Sequence, residues 1–379
     1  MNLSKKIGCI MLVVGTQIGA GMLALPLAAQ KLGFYPALIL LAAAWALMSY
    51  TAILVLKVTL KMPLYRNNFS SMAKATLGKG AQMITWIASL CLLYALTSAY
   101  IQGMGSLLSA LIKNVLHVQV SDKVSSVIFA LVFGSIVFLG ASKVDYVNRF
   151  LLTLKGIFIL MALACLVPHI SQPLIGYSSA IHNDLFAGAA PVFITAFAFH
   201  SIIPSIVNYS EQKDYGEIKF IILASTSITA LVYALWLMCT LGIIPSEGSA
   251  SFATIMKQHN DVGAFIGVLN SIINKTFLKL VISAFSNIAM TTSFLGVSLS
   301  LFDFLADGFN QGNHFSGRVK TFLLTFLPPL ACAIFYAKGF LLALNYATIF
   351  VVVLQILLPT LMAWKTRQEE SVVTSVAVR

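Results

Sequence analysis

The chain has 379 residues, 59% of them hydrophobic and 9% charged, with a mean hydropathy of +0.91. A soluble domain is about 25% charged, so this chain lacks the polar surface to face water, which excludes a soluble enzyme, a disordered regulator and a nucleic-acid binder. The net charge of +12 therefore needs a reading other than a nucleic-acid patch.

Ten stretches reach the roughly 20 mostly apolar residues that a membrane span requires: about 7–30, 33–60, 82–111, 124–142, 150–168, 185–208, 220–242, 279–305, 319–336 and 340–364. Strand-type alternation is absent, which argues against a membrane β-barrel. The first stretch follows Lys5 and Lys6 and superficially resembles a signal peptide, but it is long enough to span and carries Thr16 and Gln17 in its middle. With the N-terminus in the cytoplasm, 16 Lys and Arg fall in cytoplasmic segments and seven in external ones, with Lys155 inside a span. That bias predicts both termini inside and reads the positive charge as topology and contact with anionic lipid.

Two connections have patterns of their own. Phe69, Met72, Ala73 and Leu77 share a helical face ahead of Gly78, which predicts a short helix on the membrane surface. The long segment 243–278 is semi-apolar (Phe252, Ile255, Phe265, Leu269) and predicts a helical lid on the outer face. Cys9, Cys91, Cys165, Cys239 and Cys332 lie in apolar stretches without ligand spacing and are expected to be reduced thiols.

Spans one and six carry the functional signal. Span one contains Gly15-Thr16-Gln17-Ile18-Gly19-Ala20-Gly21-Met22, where the glycines either break the helix or serve close packing. Span six contains Pro191, Phe197-Ala198-Phe199-His200 and Pro204. Interrupted helices at matching positions of two five-span halves point to a transporter site. A break frees backbone groups that cannot stay unpaired in hydrocarbon. Its N–H groups suit an anion and its carbonyls an ammonium, so a zwitterion is a natural ligand. Ala20, Gly21 and Met22, with Gly19, are expected to hold a carboxylate, and Thr16, Gln17, Phe197, Ala198 and Phe199 an ammonium, with the phenyl rings either on the substrate ring or in plain packing. His200 either lines the site or carries a proton. Tyr94, Ser98, Gln102, Asn287 and Asn345 are polar residues in mid-span. Lys155 lies about six residues into span five, and either snorkels to the surface or faces inward, where its burial has a purpose. The Thr291-Thr292-Ser293 run has the hydroxyls to coordinate sodium, which a nearby ammonium opposes.

The span-one motif resembles that of the amino acid–polyamine–organocation superfamily. Its continuation through Pro26-Leu27-Ala28-Ala29, then Leu47-Met48-Ser49-Tyr50-Thr51-Ala52, Phe197-Ala198-Phe199-His200, Thr292-Ser293-Phe294-Leu295-Gly296 and Leu344-Asn345-Tyr346, is similar to bacterial aromatic amino acid permeases, tyrosine-specific members above all. The likeness runs from about residue 5 to 367. It implies an all-α integral membrane protein with a leucine-transporter-like 5+5 inverted repeat, ten transmembrane helices and helices 1 and 6 interrupted, in a single transporter domain. The repeats would cover about 5–168 and 185–365, and a tail 366–379. It further implies proton-coupled symport of an aromatic amino acid, tyrosine first, across the bacterial inner membrane, with sodium coupling or a tryptophan or phenylalanine preference as the alternative. Lys155, near Thr292 and Ser293, takes the coupling role by this resemblance, under which the mid-span residues Tyr94, Ser98, Gln102, Asn287 and Asn345 are the candidate readers of a substrate hydroxyl. Family members usually have an eleventh span, which this sequence lacks. No metal, cofactor or catalytic group is expected: the six His are scattered, and no paired-His, nucleophile-elbow or phosphate-loop motif appears. A passive channel fits two unlike broken helices less well than a transporter does.

Overall fold

A computed structural model describes residues 3–63, 68–176, 183–210, 214–273, 275–309, 314–336 and 340–377. Arg66, Lys213, Lys338, Arg379 and His182 lie outside the described residues. Among the described residues the chain is helical without strands. The first apolar stretch forms α1 (Leu3–Gln17) and α2 (Ala20–Ala29), bent by 49° where they meet. The second is α3 (Phe34–Lys61). The short helix expected ahead of Gly78 is α4 (Phe69–Leu77), with Asn68 accepting from Ser71 N–H at 2.7 Å and Gly78, at φ 93°, ending it; the positive φ suits glycine, and Met72 and Ala73 on its apolar face are buried within the protein. Then follow α5 (Lys79–Leu116), α6 (Asp122–Phe138), α7 (Ala141–Leu166) and a short α8 (Gln172–Gly176).

The second half begins with α9 (Asn183–Ala196), which passes through residues 197–199 and a 3₁₀ turn at His200–Ile202 into α10 (Ile203–Ser210). After α11 (Tyr215–Leu241), the long connection folds into α12 (Phe252–Lys257) and α13 (Val262–Ile272). Finally α14 (Thr276–Gly308), α15 (Phe315–Phe335) and α16 (Phe340–Val351) lead through a π-helical turn, Val352–Leu357, into α17 (Leu358–Ala377). Eight stretches are long and apolar enough to cross a membrane, or nine with α1 and α2 taken as one bent span, among the described residues. The remaining expected span is α6, which at 17 residues is at the short end of the spanning range.

The two longest helices, α5 and α14, pack together and organise the bundle: α6, α15, α16 and α13 lie on α5, while α7 lies on α14. A second group joins α1, α3, α11 and α10. The chain is an integral membrane protein, and its outer faces carry exposed apolar residues such as Phe150, Leu160 and Leu231, which lipid rather than water suits.

Away from the spans, Asp261 caps α13 and accepts from Ala264 N–H at 3.1 Å. Burial against α5 pushes its carboxyl up to about 6, with a nearby Asp122 adding to the rise and hydrogen bonds from Ser106, Ala264 and Gly263 opposing it. Next to it, Gln30 at the end of α2 donates to Asn260 Oδ1 at 2.9 Å. Thus α13 is tied across α2 and α5.

Candidate functional site

A cavity of about 360 Å³ lies between the interruptions. Its walls come from α1, α2, α5, α7, α9, α14 and the π-helical turn, and it extends past Leu12, Asn148 and Ser300 towards the face that holds the N-terminus. Thr16 and Leu12 are exposed there. At the other end, α13 packs on α2 and α5.

The first break depends on missing side chains. A Cβ on Gly19 would stand 2.2 Å from Ser293 Oγ, and one on Gly21 3.0 Å from the Ala196 Cα. Both readings of the glycines therefore hold at once: the helix is interrupted, and the interruption packs tightly. Ser293 Oγ accepts from Ala20 N–H at 3.2 Å. Lys155 sits fourteen residues after the first residue of α7, about 20 Å along it, because the helix begins earlier than the sequence reading placed it. It is 3% exposed and donates to the Gly15 carbonyl at 2.8 Å and to Thr292 Oγ1 at 3.2 Å. Lys155 therefore points into the bundle and does not snorkel. Neither acceptor carries a charge.

The second break is walled by α3, α11 and α16. Gln17 Nε2 donates to the Phe197 carbonyl at 3.3 Å, and Thr229 donates to Gln17 Oε1 at 2.8 Å. Tyr233 OH lies 2.5 Å from the Gln17 carbonyl oxygen and 2.9 Å from that of Ala196. Thr348 donates to the Pro191 carbonyl and meets the Thr195 hydroxyl. His200 Nε2 is 2.8 Å from Thr51 Oγ1. Since the Thr51 hydroxyl already donates to the Leu47 or Met48 carbonyl, the imidazole is assigned as the donor of that pair. Gln355 is its other polar neighbour, short of hydrogen-bond geometry: among the described residues, His200 Nδ1 and Gln355 Oε1 are both buried without a hydrogen-bond partner.

Of the residues singled out in the sequence, Thr16, Gln17, Gly19, Ala20, Gly21, Ala198, Thr292 and Ser293 line this cavity together. Met22, Phe197, Phe199 and His200 stand behind its wall, each at most 1% exposed. Phe197 stacks on Tyr233 with ring centroids 5.2 Å apart, and Phe199 on His200 at the same distance. The candidate hydroxyl readers fall elsewhere. Tyr94, Ser98 and Gln102 face a separate cavity of about 500 Å³ between α5, α15 and α16. There Tyr94 donates at 2.8 Å to the Leu324 carbonyl, which Pro328, four residues on, has no N–H to satisfy. Asn287 borders a small pocket beneath α13, and Asn345 does not line the central cavity. That cavity instead presents Tyr100, Asn148, Thr195, Ser201, Ser300 and Gln355. Ser300 was legible as the residue two turns beyond Ser293 on the same helical face. Gln355 was not, because a π turn changes the register without a sequence mark.

Two interrupted helices enclose a mostly apolar cavity lined by backbone carbonyls and hydroxyls, with the Lys155 ammonium bonded behind its wall to Gly15 and Thr292; this is the make-up of a membrane transport site. Comparison with known proteins is specific. The chain belongs to the tryptophan/tyrosine permease family, whose family model matches residues 3–378. It is similar to tyrosine-specific transport system 1 of Haemophilus influenzae, at 35% identity over 97% of this chain and 89% of the relative. It is also similar to tyrosine-specific transport system 2 of the same organism, at 32% over 97% and 89%, and to a tryptophan-specific transport protein of Pseudomonas aeruginosa, at 31% over 96% and 86%.

Proposed function

We propose that this chain imports aromatic amino acids, tyrosine first, by proton-coupled symport with alternating access across a bacterial inner membrane. The termini are cytoplasmic in this reading, so the cavity as seen faces inward. The two halves, about 5–168 and 185–365, form the 5+5 inverted repeat. The relatives named for tyrosine and tryptophan support the substrate class.

The observation that carries the coupling is the position of Lys155. Its ammonium takes up the Gly15 carbonyl and the Thr292 hydroxyl, groups that a sodium ion would otherwise use, and a second cation there would be repelled. A proton leaving Lys155 neutralises a charge between the first break and α14. That ties the state of the break to the proton gradient. Substrate enters with its carboxylate at the start of α2 beside Gly19, Ala20, Gly21 and Ser293, and its ammonium at the carbonyls of Gln17 and residues 196–198. Inward movement of one charge at 100 mV contributes about 2.3 kcal/mol.

The test is uptake of labelled tyrosine into proteoliposomes under an imposed proton or sodium gradient, with tryptophan, phenylalanine and leucine as competitors. Proton-driven accumulation competed by the aromatic amino acids is expected. Sodium-driven accumulation overturns the coupling, and competition by leucine alone overturns the substrate class.

A further inference from the structure

The two breaks meet at one buried hydroxyl. Gln17 is the last residue of α1 and Ala196 the last of α9, so each carries a carbonyl that its own helix no longer satisfies. Tyr233, on α11 and fully buried, reaches both, at 2.5 and 2.9 Å. A phenol has one O–H. It satisfies one of the two carbonyls at a time and leaves the other short of a donor, while both residues line the cavity that Tyr233 itself does not enter.

The same contact fixes a distance. Two oxygens held by one hydroxyl stand no farther apart than the sum of its two bonds. An ammonium nitrogen reaches both, since its own N–H···O bonds are about 2.9 Å long. The substrate ammonium is thus the cavity-side counterpart of the hydroxyl, and it brings three donors where the phenol brings one. Around this point the geometry is braced twice more. Thr229, one turn earlier on α11, holds the Gln17 side chain, and that side chain reaches the Phe197 carbonyl. The Tyr233 ring packs on Phe197.

We infer that Tyr233 is a positioning residue for substrate recognition: its hydroxyl joins the carbonyl ends of α1 and α9 and sets the spacing that grips the amino acid's ammonium. This rests on the amino acid transport reading above. The hydroxyl acts on the part that all amino acid substrates share and is blind to the ring, so it governs affinity and leaves selectivity alone.

Tyr233→Phe keeps the ring stack and removes the O–H. In proteoliposomes the KM for tyrosine, tryptophan and phenylalanine is expected to rise by one common factor of about ten. Inhibition by 3-(4-hydroxyphenyl)propionate, which lacks the ammonium, is expected to be unchanged. Thr229→Val, a milder change, is expected to raise the three KM values two- to threefold and serves if Tyr233→Phe does not fold. An unchanged KM in folded Tyr233→Phe overturns the proposal, as does equal weakening of tyrosine and the deaminated analogue, which marks a general structural defect. Wild-type vesicles without saturable tyrosine uptake would overturn the transport reading instead, a result separable from either.

Discussion

The two interruptions are built from different chemistry. The first is made by removal: Gly19 and Gly21 leave room for Ser293 and the Ala196 backbone, and its polar groups are met by Ser293 on α14, by Lys155 on α7, which Thr292 also holds, and by the Tyr233 hydroxyl on α11. The second is made by substitution: Pro191 and Pro204 flank a bulky run, and its groups are met by neutral hydroxyls on α11 and α16. The first break thus touches an ionisable cation, whereas the second, which borders the same cavity through Thr195, Ala196, Ala198 and Ser201, is backed by the buried rings of Phe197, Phe199 and His200. Among the described residues, only the first of the two has a lysine bonded to it, which is why the proposed proton coupling is placed there.

Filling the first break should have the largest effect. Gly21→Leu drives a side chain into the Ala196 backbone, and tyrosine uptake is expected to fall more than 100-fold, read as initial rates at matched protein incorporation. Lys155→Ala separates binding from coupling: substrate binding is expected to persist while accumulation driven by a pH gradient is lost, and undiminished pH-driven uptake would break the assignment. At the second break, Thr348→Val removes the donor to the Pro191 carbonyl. It should cost about 1 kcal/mol of stability, seen as a lowered thermal midpoint, with uptake within about twofold of wild type.

The smallest effect lies at the face opposite the N-terminus. The folded Asp261 carboxyl, near 6, lies above the usual carboxylate value. The folded chain therefore binds this proton more tightly than the unfolded chain does, and the associated stability is present at low pH and lost as pH rises through about 6. Asp261→Asn keeps a cap acceptor and should flatten the melting midpoint between pH 4 and 7, followed by tryptophan fluorescence in detergent.

Much of this was legible in the sequence because spans and breaks are local signals. The apolar runs matched the helices closely, Gly78 ended α4 as expected, and the connection after α11 folded into α12 and α13. The polar lining was less legible. Tyr94, Ser98 and Gln102 lie on one face of α5, but which face meets the centre is decided by the packing of α14 and α15, not by α5 itself. Tyr233 escaped notice for a related reason: a tyrosine in a span is ordinary until two distant helix ends converge on it. The side chain's inward direction was left open in the sequence, since either a snorkelling or a buried Lys155 fits the apolar run; the bonds to Gly15 and Thr292 decide it.

The π-helical turn at Val352–Leu357 has its own consequence. Such a turn holds one residue more than an α-helix would over the same rise, so α16 and α17 are out of phase. That offset lets Gln355 line the cavity while Met362, beyond it, stays buried in the group around α3. Deleting one residue here would restore a continuous α-helix and rotate one half by about 100° relative to the other. The chain would have to give up either the Gln355 position or the docking of α17, so at this place the length of the sequence matters as much as its composition.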